Sequence, residues 1–186
     1  MKTIVLSLAC WVSLTLSAQT EKTYPLNVAE STIHWKGTYS FFFSDHSGTV
    51  NFQEGELITT NGNITGGSFV VDMTSITNEE FEERGVGPVE HLRNPDFFDV
   101  ERFPKSKLVI TEVTFFEEDG RHRMRGDFTM KGITKPIEFW PEVHEEEQRI
   151  HAKLKLDRTR WGITHNNKLK NDAISDAIEL EVTLQF

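Results

Sequence analysis

Ala177 to Phe186 reads AIELEVTLQF, and its two kinds of residue alternate without a break. Ile178, Leu180, Val182, Leu184 and Phe186 fall in one phase, with Glu179, Glu181, Thr183 and Gln185 in the other. A strand sends successive side chains to opposite faces, so this period defines a strand with one apolar and one wetted face. The same pattern recurs upstream. Ile150, Ala152, Leu154 and Leu156 alternate with His151, Lys153, Lys155 and Asp157. Met124, Gly126, Phe128 and Met130 oppose Arg123, Arg125, Asp127 and Thr129, and Lys131-Gly132 leads on to Ile137 and Phe139. Toward the front, Ile33, Trp35 and Gly37, then Phe69, Val71 and Met73, keep the rhythm. Leu108 to Phe116 is a strand whose phase does not declare itself. Turn residues fall at Glu54-Gly55, Asn61-Gly62, Asp119-Gly120 and Glu145 to Gln148. Eight or nine antiparallel strands, each with one face to bury, imply an all-β sandwich or a closed barrel.

Composition narrows the class. The chain has 186 residues, 37% of them apolar and 26% charged, enough for one domain with a core. A net charge of −9 with no basic stripe leaves no nucleic-acid partner to expect. Residues 1–18 carry Lys2, an apolar run from Ile4 to Leu16 and the small residues Ser17 and Ala18, which is the form of a secretory signal peptide. Cleavage after Ala18, or nearly as well after Ser17, leaves a domain over 19–186 and no transmembrane span. Cys10 is the only cysteine and falls too early in the run for a lipid anchor, so the mature chain is expected to have no thiol, disulfide or Cys-ligated metal. An exported domain held by its core alone fits a periplasmic or secreted bacterial protein.

The middle departs from period two. From Asn78, NEEFEERGVGPVEHLRNPDFF offers Asn78 as a helix cap before Glu79 and Glu80, Gly85 and Gly87 as stops, Pro88 as a first helical residue, and Asn94-Pro95 as a second cap and start. A short helical insertion around residues 78–98 is therefore predicted, with Leu92, Phe97, Phe98 and Phe103 as inward anchors. At one end of a barrel it would serve as a lid or as a fixed plug.

Six segments in order, STIHWKG, HSGTVNF, GGSFVVDMTSI, HLRNPDFFDVERFP, GDFTMKGITKPIEF and LDRTRWGI, resemble the pattern of the YceI-like family of exported, lipocalin-like proteins. Trp35-Lys36-Gly37 and His46-Ser47-Gly48 are most similar to the subgroup common in Bacteroidetes. The resemblance implies an antiparallel lipocalin-like β-barrel of about eight strands, with a helical insertion and an apolar interior that binds a polyisoprenoid or quinone tail. It implies an isoprenoid or other amphiphilic lipid as partner and no cofactor beyond such a ligand; no nucleophile elbow, phosphate loop or metal signature appears in the sequence, so no catalysis is expected, and a homodimer is left open.

Period and resemblance together place Trp35, Phe69, Val71, Met73, Phe128, Met130 and Phe139 toward the interior, with Leu92 and Phe98 closing it. His46 and His91 are the candidate polar contacts, since imidazole both donates and accepts; the alternative is that each bonds a nearby loop. None of the seven histidines forms an HExxH or HxH pattern, so no metal site is expected. Arg158 and Arg160 around Trp161 make either an anion clamp or a structural stack. Asp96, Asp99 and Glu101 are not set across a substrate by any motif. Phe41-Phe42-Phe43 could fill the interior, which would make a structural or stress-response barrel without ligand. The closing strand also resembles that of an outer-membrane barrel.

Overall fold

The computed structural model describes residues 19–39, 45–85, 87–164 and 174–186. The expected signal segment 1–18 and Phe41 to Phe43 lie outside them. Ten strands are described: β1 (Glu21–Pro25), β2 (Thr32–Tyr39), β3 (Asp45–Thr60), β4 (Asn63–Asn78), β5 (Lys105–Phe116), β6 (Arg121–Met130), β7 (Ile133–Phe139), β8 (Glu142–His144), β9 (Arg149–Asp157) and β10 (Ile174–Gln185). Two short helices, α1 (Glu79–Arg84) and α2 (Val89–Arg93), separate β4 from β5. All strands join one antiparallel sheet in the order β7-β6-β5-β4-β3-β2-β10-β9-β8, with β1 paired to the far half of β3.

The expected closed barrel is not what forms. The ladder ends at β7 on one side and β8 on the other, and no pairing joins them among the described residues. The ends come close, β6 against β8 and β7 against β9, yet the seam stays open. Pro136 in the middle of β7 has no N–H to give a further strand, which suits an edge position. Its carbonyl accepts from Arg160 Nη2 at 2.9 Å, so a side chain from the 3-10 helix Arg158–Trp161 meets this residue. β8, only three residues long beyond Trp140-Pro141, offers little to pair with. The architecture is an open sheet rolled round its apolar face.

Two bulges explain what the alternation left unreadable. In β5 the register shifts between Ile110 and Glu112. Leu108 and Ile110 therefore face the interior and Val113 packs against the core from the other phase. In β3 a shift between Phe52 and Glu54 lets both Phe52 and Leu57 face inward. Glu54-Gly55 is thus not a turn: β3 runs unbroken through it. Asn61-Gly62 is one, with both residues at positive φ.

The helical insertion occupies the expected place with three corrections. Asn78 caps α1, its Oδ1 accepting from the Phe81 amide at 3.0 Å, and Gly85 ends it in a left-handed conformation. Pro88 sits at the cap of α2, one place earlier than expected. No helix starts at Asn94-Pro95. Asn94 closes α2 by donating to the His91 carbonyl, and its own carbonyl accepts from the Phe97 and Asp99 amides, so turns follow. Leu92, Phe97 and Phe98 are buried as anchors. Phe103 is only half-buried, with its ring against Gly132 in the β6–β7 turn instead of the interior.

The outward phase carries charge. Arg123 and Arg125 meet Glu112, Arg125 also reaches Glu138, and Lys153 and Lys155 pair with Glu181 and Glu179. An outer-membrane barrel needs an apolar outer band, so this face is the reverse of that expectation.

Candidate functional site

Rolling the sheet encloses an apolar cavity of about 540 Å³, lined by β2 to β7, β9, β10 and the insertion. Its walls follow from the alternation: each inward phase contributes its apolar side chains. Trp35, Phe69, Val71, Met73, Phe128, Met130 and Phe139 all line it, as do Leu92 and Phe98 from the insertion and His46 and His91. The structure brings all eleven predicted site residues to one cavity. Phe52, Leu57 and Ile110 line it as well. Sequence reasoning passed over them because the bulges in β3 and β5 break the phase that would have found them.

The register makes the two ends of the cavity different. Gly37 pairs with both His46 and Ile178, and Asp157 with Ala177, so the end of β2, the start of β3, the end of β9 and the start of β10 share one end. Thr38, His46, Arg158 and Ser175, with His91 of α2, are polar lining groups at that end. At the other end the lining is Phe52, Leu57, Phe69, Ile150 and Leu184. The cavity is thus a one-ended apolar sac with a polar rim.

The insertion over that rim is held from both sides. Arg93 Nη2 donates to the Thr74 and Ile76 carbonyls at 3.0 and 3.1 Å, fixing α2 to β4. Lys131 Nζ donates to the Pro95 and Phe97 carbonyls at 2.8 and 2.6 Å, fixing the following turns to the β6–β7 hairpin. Charge-assisted bonds of this kind are about twice as strong as neutral ones. HLRNPDFFDVERFP therefore supplies a tethered cap more than a swinging lid. Both histidines meet carboxylates of the insertion: His46 Nδ1 lies 3.0 Å from Glu80 Oε2, and His91 Nε2 lies 3.7 Å from Asp96 Oδ2. His91 also sets its ring edge-on to Phe97 at 5.7 Å.

The Arg-Trp segment divides its labour. Trp161 is fully buried, donates from Nε1 to the Phe128 carbonyl at 3.1 Å, and carries Arg160 over its ring at 5.2 Å. Those two are structural. Arg158 turns inward instead, 2% exposed, and lines the cavity. Its Nε donates to the Ser175 carbonyl at 3.0 Å, Nη1 to the Ile163 carbonyl, and Nη2 reaches Asp176 Oδ1 at 3.2 Å. Burial pushes its pKa down, against the opposing pull of Asp176 and Asp157. Asp157-Arg158-Thr159 was the available signal, because an Asp after a strand caps the turn that aims Arg158: its carboxylate accepts from the Thr159 amide at 2.9 Å.

The described residues thus form an antiparallel sheet rolled round one apolar sac with a polar rim. Residues 24–186 match the YceI-like domain, and the chain belongs to the YceI-like family. It is 30% identical over 95 residues to the UPF0312 protein plu2095 of Photorhabdus laumondii, covering 51% of this chain and 43% of that protein. Protein YceI of Escherichia coli O157:H7 is 29% identical over 96 residues, covering 51% and 44%. The matched stretch spans less than half the length of these curated relatives. Among solved structures, Burkholderia cenocepacia BcnA shares the fold with a TM-score of 0.64 at 12% identity, over 86% of this chain and 98% of that one. The family consists of non-catalytic binding proteins of the bacterial periplasm or exterior. Among the described residues no cluster of His, Cys, Asp or Glu could hold a metal ion, and no helix is long and apolar enough to cross a membrane.

Proposed function

We propose that this chain is an exported carrier that holds the chain of an isoprenoid, quinone or related lipid in the sac and does no chemistry on it. The observation that carries this reading is the cavity of about 540 Å³ with one apolar and one polar end. A hydrocarbon tail gains roughly 25 cal/mol for each Å² it withdraws from water, and gains it along the whole wall. The head group then rests at the rim, where His46 and His91 offer imidazole nitrogens and Trp35, Leu92 and Phe98 hold the first part of the tail. The volume favours a holder of ligand over a filled structural or stress-response protein. The reading makes the lipid the partner; a single species of monomer mass in sedimentation velocity would count against a homodimer.

We also place the chain with the Bacteroidetes-type subgroup. That placement rests on the resemblance of Trp35-Lys36-Gly37 and His46-Ser47-Gly48 to the subgroup's pattern; the two segments pair with each other in the β2–β3 ladder. The test of the carrier reading is mass spectrometry of an organic extract from protein purified natively from its own host. A stoichiometric isoprenoid or quinone is the expected result. A clean extract from folded protein shifts the reading to the structural alternative.

A further inference from the structure

One buried hydroxyl interrupts the apolar phase of β5. Ser106, Leu108 and Ile110 alternate along the strand and all line the cavity, so Ser106 holds a place where the pattern calls for an apolar side chain. It is 2% exposed and stands opposite Val71 of β4, which in turn stands opposite Phe52 of β3. Both of those neighbours line the cavity too. Ser106 follows Pro104, whose carbonyl accepts from the Met73 amide at 2.9 Å where the insertion rejoins the sheet. It is therefore separate from the rim groups, which come from β2, β3, β10, α2 and the 3-10 helix. Ser106 Oγ has no hydrogen-bond partner among the described residues. Other hydroxyls withdrawn from the surface do have one. Ser31 Oγ donates to the Asn27 carbonyl at 2.8 Å and accepts from the Gln185 amide at 3.0 Å, and Ser175 Oγ accepts from the Ala177 amide at 3.1 Å. Thr59 also buries a hydroxyl without a partner among the described residues, but it does not line the cavity.

A hydroxyl taken out of water and left unbonded costs free energy, and native proteins bury few of them. We infer that Ser106 is a ligand contact, and that its hydroxyl bonds an uncharged oxygen, a carbonyl or a hydroxyl, carried into the sac by the apolar molecule held there. The inference rests on the carrier reading. Serine both donates and accepts, so it meets either kind of oxygen. An ionised carboxylate or phosphate at this place would exchange its water for the side chains of Val71, Phe52 and Leu108, a cost that one neutral hydroxyl does not offset. The sac thus reads its ligand twice, at the rim and on the β5 wall. A bare hydrocarbon of the same length leaves the hydroxyl unbonded and is disfavoured for that reason.

The experiment compares the unaltered protein with Ser106→Ala. Each is delipidated by solvent extraction, checked by circular dichroism and incubated with an equimolar mixture of phytane, phytol and menaquinone-4. Excess is removed and the retained molecules are quantified by mass spectrometry. In Ser106→Ala the ratio of phytol to phytane, or of menaquinone-4 to phytane, is expected to fall about tenfold, the factor that one buried hydrogen bond sets. A fall for phytol alone assigns a hydroxyl to the site, and a fall for menaquinone-4 alone assigns a carbonyl. The melting temperature of the lipid-free variant should equal or exceed that of the unaltered protein, because alanine has no hydroxyl to dehydrate. A lower melting temperature would show that the hydroxyl serves the fold, and overturns the inference. Ratios that do not move also overturn it, and leave the carrier reading standing. Retention of none of the three by the unaltered protein overturns both.

Discussion

Trp161 and Phe128 are locked twice: the indole Nε1 donates to the Phe128 carbonyl at 3.1 Å, and the two rings stand edge to face at 5.5 Å. This joint fastens the 3-10 helix to β6 and so holds Arg158 at the polar end of the cavity. Trp161→Ala, which empties a fully buried site, should cost about 3–5 kcal/mol. Trp161→Phe keeps most of the packing and loses the donor, for about 1–2 kcal/mol. Urea unfolding checks both: the midpoint should fall with little change of slope.

The direction of β6 supports a second test. Met130 is 6% exposed and lines the cavity, whereas Asp127 points to solvent three residues earlier. Met130→Glu buries a carboxylate in apolar surroundings, so the protein should lose several kcal/mol or bind no apolar chain. Asp127→Lys should change stability by no more than about 0.5 kcal/mol. If both variants unfold at the same temperature and retain the same lipid, the inward assignment of Met130 is wrong.

How far the sequence carried this far depends on the physics of each element. Ile178 to Leu184 and Met124 to Met130 keep strict alternation, so their inner face, and with it most of the cavity wall, was readable. Phe52, Leu57 and Ile110 were not, because a bulge reverses the phase and nothing in local composition announces it. Closure was misread for a different reason. Alternation reports which face is buried but not whether the first and last strands pair, and the clue lay in a single residue, Pro136, whose missing N–H suits an edge strand. Arg158 stayed ambiguous because its partners, the carbonyls of Ile163 and Ser175, are brought to it only by the tertiary fold.

Asn78 gives a test of the insertion. It is 1% exposed, and its Oδ1 satisfies the Phe81 amide at the start of α1. Asn78→Ala leaves that donor without its cap, at an expected cost of about 1–2 kcal/mol. The Phe81 amide should then exchange with deuterium markedly faster, while amides in the β9–β10 ladder keep their protection. Unchanged exchange at Phe81 would show that the cap does not hold α1.

Asp157 gives the pH dependence. Its carboxylate accepts from Thr159 Oγ1 at 2.6 Å and from the Thr159 amide at 2.9 Å. Those bonds, with the charges of Arg160 and Arg158 nearby, hold its pKa below the ordinary 3.8. A carboxyl whose pKa is depressed by folding stabilises the fold when ionised. That contribution is fully present above the unfolded value and is lost as pH falls through the lower folded one. The cap that aims Arg158 into the cavity should therefore persist from neutral pH down to about 4 and release only in stronger acid. The Thr159 amide shift, followed by NMR, should titrate with a midpoint below 3.8. In Asp157→Asn the side-chain oxygen still accepts but does not ionise, so the acid step should vanish. A midpoint at or above the ordinary value would mean that the Thr159 bonds do not favour the ionised form, and that the turn is held by Arg158 and Trp161 alone.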